Sequence, residues 1–333
     1  MVAKAANVSR VAVSRAFNPH TSLKPEKREL ILKVARELNY TPDRAARALV
    51  SGRSHLVGII VPDVCSHWES QEIDALTTAL QNEGFATLLF KTRTDYSMDE
   101  TLLAYMRGFN PDSVIAFVEN VKPTTLARVL DRAVPIYVHY PHAQHADEAV
   151  PTDGPLYDRI NVLQHTGIEQ AVAMLQAYGA KRIAYVSGAS QSRANVSREW
   201  MLRSVLAERG LPPPIVAKSD FSYDTAYAAT IDLFRVDGGA DAIFAANDVG
   251  AFGVLDALRH DLGLRVPEDV KVVGFDDIAQ SHWKSYNLTT VKFELDERVR
   301  ALVRLILRRL NEPNAPALVE TLQTRLVVRG TVG

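Results

Sequence analysis

The chain has 333 residues, 47% hydrophobic and 23% charged, an ordinary globular balance that excludes a disordered or collagen-like chain. No apolar run approaches the roughly 18 residues needed to span a bilayer, and the polar, basic stretch from Met1 to Arg10 does not read as a secretory signal. The single cysteine, Cys65, excludes an internal disulfide and a Cys-rich zinc site, so a reduced, cytoplasmic location is expected. The formal net charge of −1 conceals a division. Residues 1–54 carry eleven Lys/Arg against four acids, or +7, and the rest of the chain carries −8. A small basic head on an acidic body points to a polyanionic partner for the head.

The head reads as short helices. Val2–Ala6 is a short apolar stretch ending at Asn7, a residue that tolerates the left-handed turn between two helices. Ser9 is suited to N-cap a second helix with Val13, Ala16 and Phe17 on its inner face, and Asn18-Pro19 stops it. Pro25 opens a third helix, in which Leu30, Ile31, Val34, Ala35 and Leu38 form one stripe. Two helices joined by a short turn, with a third packed across them, make a helix-turn-helix layout over residues 1–41. Residues 42–54 are Ala/Arg-rich with too few apolar positions to own a core. They read as a linker that becomes helical only when held.

From Leu56 onward strands and helices alternate. Strands are expected at 56–61, 86–91, 113–118, 135–140, 182–187, 214–217, 241–246, 270–275, 288–293 and 324–329. Amphipathic helices are expected between most of them, for example at 164–178, 194–209, 223–235, 249–262 and 295–311. Apolar strands alternating with helices imply an α/β core of mostly parallel sheet, and a span of about 280 residues implies two lobes. Ligands of such sheets sit beyond the strand carboxyl ends. Those ends carry Pro62-Asp63, Gly188-Ala189-Ser190, Asn247-Asp248 and Asp276-Asp277, a convergence of polar groups that fits a small polar ligand.

Taken together these residues resemble the LacI/GalR family of bacterial transcriptional regulators. The resemblance runs through Val2-Ala3-Lys4-Ala5-Ala6-Asn7-Val8-Ser9, Val13-Ser14-Arg15, Asn18, Leu38-Asn39-Tyr40 with Pro42, and Ala45-Ala46-Arg47-Ala48-Leu49. It continues through Val57–Asp63, Asn247-Asp248, Val273–Ile278 and Leu288–Val291, covering essentially the whole chain in order. It implies a homodimeric repressor with a core like the periplasmic sugar-binding proteins, two lobes around an effector cleft and three crossings between them. One lobe would comprise about 56–155 with 294–320, and the other about 156–291 with 321–333.

The second helix of a helix-turn-helix puts its N-terminal residues on base edges in the major groove. Arg10 and Arg15 can pair with guanine, Val11 can pack on a thymine methyl, and Ser9 and Ser14 can reach phosphates or base edges. The resemblance adds Asn18 and Tyr40 to this surface. It also makes Leu49 a wedge entering a central base step from the minor groove, with Ala46 small enough to permit close approach. One wedge per subunit implies a pseudo-palindromic double-stranded operator. For the core, the resemblance implies effector contacts from Trp68, Arg198, Asn247, Asp276 and Phe293. Where the family commonly has Asn-Pro-Phe-Phe, this chain has Ser66-His67-Trp68-Glu69. Glu69 makes the cleft more polar and favours a hydroxyl-rich effector over a purine. Arg193, near Arg198 in sequence, adds a possible carboxylate contact, so a sugar or sugar acid is expected.

Other signals are weak. His139, His142 and His145 have a spacing that zinc could use, but Pro141 disfavours a regular helix there, so no metal site is expected. Asp276-Asp277 are adjacent on a strand and point to opposite faces, which is poor placement for a carboxylate pair. No phosphate-binding glycine loop or nucleophile elbow is present. Neither an enzyme nor a cofactor is expected, and a solute-binding protein or α/β enzyme on the same core is the alternative.

Overall fold

The computed structural model describes residues 1–17, 21–40, 52–61, 67–92, 100–117, 134–139, 157–236 and 238–333. Asn18, Ala46 and Leu49 lie outside the described residues, as do His142 and His145. The chain forms two compact units, Met1–His55 and Leu56–Gly333.

The first unit contains α1 (Val2–Ala5), α2 (Arg10–Ala16) and α3 (Pro25–Glu37). Asn7, at φ 50°, makes the left-handed turn between α1 and α2. Ser9 then caps α2, its hydroxyl accepting from the Ala12 N–H at 3.2 Å. Val2, Ala6, Ala12, Val13, Ala16, Ile31 and Ala35 form the core. Arg28 ties α3 to the segment after α2, donating to the carbonyls of Ala16 at 3.0 Å and Thr21 at 2.8 Å. The five-residue stripe expected on α3 is buried only at Ile31 and Ala35, and Leu30 and Leu38 are exposed. At 100° per residue Leu30 lies about 120° from the midpoint of the two buried positions, and Leu38 follows the last helical turn.

The second unit begins with β1 (Leu56–Val61), α4 (His67–Asn82), β2 (Ala86–Lys91), α5 (Glu100–Gly108), β3 (Ser113–Ala116), β4 (Val134–His139) and β5 (Asp158–Leu163). It continues with α6 (His165–Ala177), β6 (Ile183–Val186), α7 (Arg193–Glu208), β7 (Ile215–Ala217), α8 (Tyr223–Val236), β8 (Ala242–Ala245), α9 (Asp248–Asp256) and β9 (Lys271–Phe275). It closes with β10 (Thr289–Lys292), α10 (Leu295–Asn311), β11 (Val319–Gln323) and β12 (Arg325–Val327). One sheet has the order β11-β5-β4-β3-β1-β2 and the other β12-β10-β9-β8-β6-β7. All pairings are parallel except β10 with β12. Strands β3, β6 and β8 are buried along their whole length, as parallel strands covered on both faces must be. The expected 249–262 helix is α only over Asp248–Asp256 and continues as a π-type turn over Ala257–Asp261.

Two strands were not expected, and they correct the lobe boundaries. Strands β5 and β11 both pair in the first sheet, so that lobe extends to Leu163 and to Gln323 rather than to about 155 and 320. β5 reads Asp-Arg-Ile-Asn-Val-Leu, which lacks the apolar run of a buried strand. Its opening acid is tolerated because it is paired. The fully buried Asp158 carboxylate accepts from Arg309 at 2.5 and 3.2 Å and from the Leu318 N–H at 2.8 Å.

The sheets are joined at 163–165, 292–295 and 323–325, and these crossings are bonded to one another. Thr324 donates its hydroxyl to the Leu163 carbonyl and accepts the Gly167 N–H, both at 3.1 Å. A Cβ on Gly167 would collide with Val291 and Thr324, so only glycine permits this approach. Arg325 of the third crossing donates twice to Glu294 of the second, at 2.7 and 3.0 Å.

Asp158→Ala removes the counter-ion of the buried Arg309 guanidinium, leaving it only its bonds to the Pro313, Ala315 and Pro316 carbonyls. A loss of about 3–5 kcal/mol in unfolding free energy is expected. Urea unfolding measures it, and a loss below about 1 kcal/mol would show that Arg309 finds other compensation.

Candidate functional site

On α2 the residues Arg10, Val11, Ser14 and Arg15 are exposed and lie within about 140° of arc, whereas Ala12, Val13 and Ala16 are buried on the opposite side. Ser9 is exposed at the cap. The Arg15 carbonyl is held by the Thr21 hydroxyl at 2.8 Å. Tyr40 meets Phe17 edge-on, with centroids 6.0 Å apart. Sequence reasoning therefore placed five of these side chains on one solvent-facing surface, because cap and core signals fixed the rotation of the helix.

In the second unit a cleft of about 150 Å³ opens among Trp68, Asp276, Asp277, Lys292, Phe293 and Glu294. Trp68, in the first turn of α4, meets Phe293 edge-on at 4.6 Å and 72°. Asp276 follows β9 with φ 115°, a conformation that L-residues adopt only under constraint. Burial pushes its pKa well up. Arg198 opposes this, and the charges of Asp248 and Glu69 reinforce it. Glu69 itself is not among the residues that line the cleft. The neighbouring Asp277 is committed elsewhere, accepting from Arg329 at 2.6 Å and facing Lys292 at 3.5 Å.

Other expected contacts are placed differently. Arg198 is buried on α7, its guanidinium 3.5 Å from the Phe275 ring centroid. It donates to Gln164 at 3.3 Å and to the Ala246 carbonyl. Arg193 is exposed in the first turn of the same helix, about 140° around from Arg198, so the two guanidinia do not converge. Asn247 caps α9. Its oxygen accepts the Gly250 N–H at 2.9 Å, and its amide donates to the Phe221 carbonyl at 3.1 Å.

Sequence reasoning missed three features. Phe221, at φ 79°, lies against Gly188 where a side chain would otherwise stand. The buried Glu72 carboxylate holds Arg298 beneath the aromatic pair, accepting from its Nε and, at 2.9 Å, from Nη2. Asp248, noted only as part of a motif, is a buried hub beneath Asp276. It accepts from the Ser281 and Thr290 hydroxyls at 2.5 Å and from the Ile278 N–H at 3.0 Å. A charged residue at i and i+4 of an aromatic was the available signal for Glu72. Phe221 left none.

A helix-turn-helix whose second helix exposes one polar face, carried on one chain with a two-sheet α/β core around a polar cleft, defines an effector-responsive DNA-binding regulator. Comparison with known proteins agrees. Residues 2–43 match the family described as bacterial regulatory proteins, lacI family, and residues 172–332 match a periplasmic binding protein-like domain. The transcriptional regulator CelR of Thermobifida fusca is 31% identical over 99% of this chain and 96% of its own length. Catabolite control protein A of Priestia megaterium is 26% identical over 98% and 97%. The lac repressor dimer bound to operator and the anti-inducer ONPF superposes with a TM-score of 0.84 at 22% identity, over 99% of this chain and 97% of that one. The chain belongs to the lacI family of bacterial regulatory proteins, and it is a DNA-binding transcriptional regulator. No helix among the described residues is long and apolar enough to cross a membrane.

Burial raises the pKa of Asp248 from its ordinary 3.8 to about 7, against the hydrogen bonds it accepts. The folded state then holds this proton more tightly than the unfolded chain does. The stabilisation is full below pH 3.8 and is lost as pH rises to about 7. Asp248→Asn is expected to flatten the stability profile across that window, measured by urea unfolding at a series of pH values. An unchanged slope would assign the titration to another group.

Proposed function

We propose that this protein binds a pseudo-palindromic operator as a homodimer and represses transcription from it, and that a sugar in the core cleft changes its operator affinity. The observation that carries the reading is the α2 surface, where Arg10, Val11, Ser14 and Arg15 are exposed opposite a buried face. Arginine forks onto guanine and valine onto a thymine methyl are the contacts such a helix makes in a major groove. The charge of +7 over residues 1–54 supplies the salt-dependent attraction to phosphate. Ala46 and Leu49 would complete the contact in the minor groove.

In the cleft, Asp276 offers an acceptor to hydroxyl groups, Glu69 adds negative charge near it, and the Trp68–Phe293 pair offers an apolar wall for a sugar face. Relatives support a saccharide: the CelR–cellobiose complex superposes with a TM-score of 0.69 at 26% identity over 99% of this chain, and a ribose operon repressor is 26% identical. A neutral sugar fits better than a sugar acid, because Asp276, Asp277, Glu294 and Asp296 line the cleft against Lys292 alone. For the ligand to act as a switch, it must prefer one arrangement of the lobes, and the two subunits must pass that preference to the 43–51 segment.

Selection of bound genomic fragments by the purified protein at two salt concentrations tests the DNA reading. A palindromic consensus is expected, with affinity falling as salt rises. Arg10→Ala or Arg15→Ala is expected to cost about 1–3 kcal/mol and to relax one operator position. A full-length protein without sequence preference, with or without a panel of neutral sugars, would sink the regulator reading. Binding of uronic acids in preference to neutral sugars would overturn the effector class.

A further inference from the structure

Beneath the aromatic wall of the cleft lies an ion pair that packing alone does not require. Glu72 is 1% exposed and Arg298 2%, and they join α4 to α10. Replacing such a pair by apolar residues of similar volume is often neutral or stabilising, because two charges no longer lose their hydration. An ion pair gives direction, which apolar contacts do not. Trp68 lies four residues before Glu72 on α4, on the same face. Its ring meets Phe293 edge-on at 4.6 Å. Arg298, gripped by both carboxylate oxygens, holds its guanidinium 5.0 Å from the Phe293 ring centroid and 5.5 Å from that of Phe117. One carboxylate thus bears on Phe293 through a planar cation, and through Phe293 on Trp68.

We propose that Glu72 is a positioning residue of the effector cleft, fixing the angle of the Phe293 ring against Trp68 by holding Arg298 in place. The proposal rests on reading the cleft as the effector site. The energetic cost of the buried pair is then the cost of presenting one aromatic face, and with it a preference among ligands of similar composition.

The test separates orientation from stability. In a Trp200→Phe/Trp283→Phe background, Trp68 is the sole tryptophan of the three in the chain. The paired replacement Glu72→Met/Arg298→Met is then compared with that parent by thermal unfolding, near-ultraviolet circular dichroism and acrylamide quenching of Trp68. The expected result is a cooperative transition close to the parent's, with emission shifted to the red and quenching increased. A stable variant whose Trp68 spectra match the parent's would assign the pair a purely structural role and overturn the proposal. A second variant keeps the ion pair: Arg298→Lys retains the charge but loses the planar face against Phe293. Its Trp68 spectra are expected to move in the same direction, and a folded Arg298→Lys protein with the parent's spectra would overturn the proposal even if the doubly apolar variant does not fold. Neither readout uses a sugar. Failure of the sugar panel therefore counts against the effector reading, and an unmoved Trp68 signal counts against Glu72.

Discussion

The chain of the second unit passes three times between its two sheets, and the cleft exists because those passages are held together. Thr324 is the fastening, one percent exposed, bonded through its hydroxyl to the first crossing and seated against Gly167. The Arg325–Glu294 contact adds the second crossing, and Lys292 extends the chain of charge from Glu294, at 3.2 Å, to Asp277 beside the cleft. Short crossings bonded side by side permit rotation of one lobe on the other while preventing lateral slip. That is the geometry a ligand-closed cleft needs.

Electrostatics in the core follow from the same architecture. Parallel sheets bring strand carboxyl ends together, and with them the acids that end strands and begin helices. Asp248 and Asp276 are consecutive members of such a set, and burial raises both their pKa values. The protein tolerates this by satisfying Asp248 fully with two hydroxyls and an N–H. Asp276, the only one of the two that lines the cleft, is relieved in part by the charge of Arg198 and stands at a positive φ.

The head works by other physics. Its core is small, seven buried residues around Ile31 and Ala35, and it exists to hold α2 at one rotation. The cap at Ser9 and the buried Ala12, Val13 and Ala16 set that rotation, which leaves the arginines outward. Affinity there comes from diffuse positive charge and specificity from a few side chains, so the surface needs exposure where the cleft needs enclosure.

The division between what the sequence determined and what the fold decided follows the range of the interactions. Ser9, Asn7, Pro25 and the periodicity of α2 act within one or two helical turns, so the head and the exposed face of α2 were legible directly. The strands with continuous apolar runs were legible for the same reason. β5 was not, because its Asp158 becomes compatible with a buried strand only when Arg309, far along the chain, arrives to pair with it. The lobe boundaries moved with that strand. Family likeness alone pointed to Trp68, Asp276 and Phe293, which line the cleft. Only the tertiary structure decided that Asn247 spends its amide on capping α9 and on Phe221, that Arg193 turns away from Arg198, and that Glu72 and Arg298 meet beneath the aromatic wall. The sequence by itself thus determined the turn at Asn7, the cap at Ser9 and the buried face of α2, whose partners are neighbours along the chain. Features decided by desolvated charges finding each other across 150 or more residues awaited the fold, because the energy of a buried charge depends on a partner that local sequence does not contain.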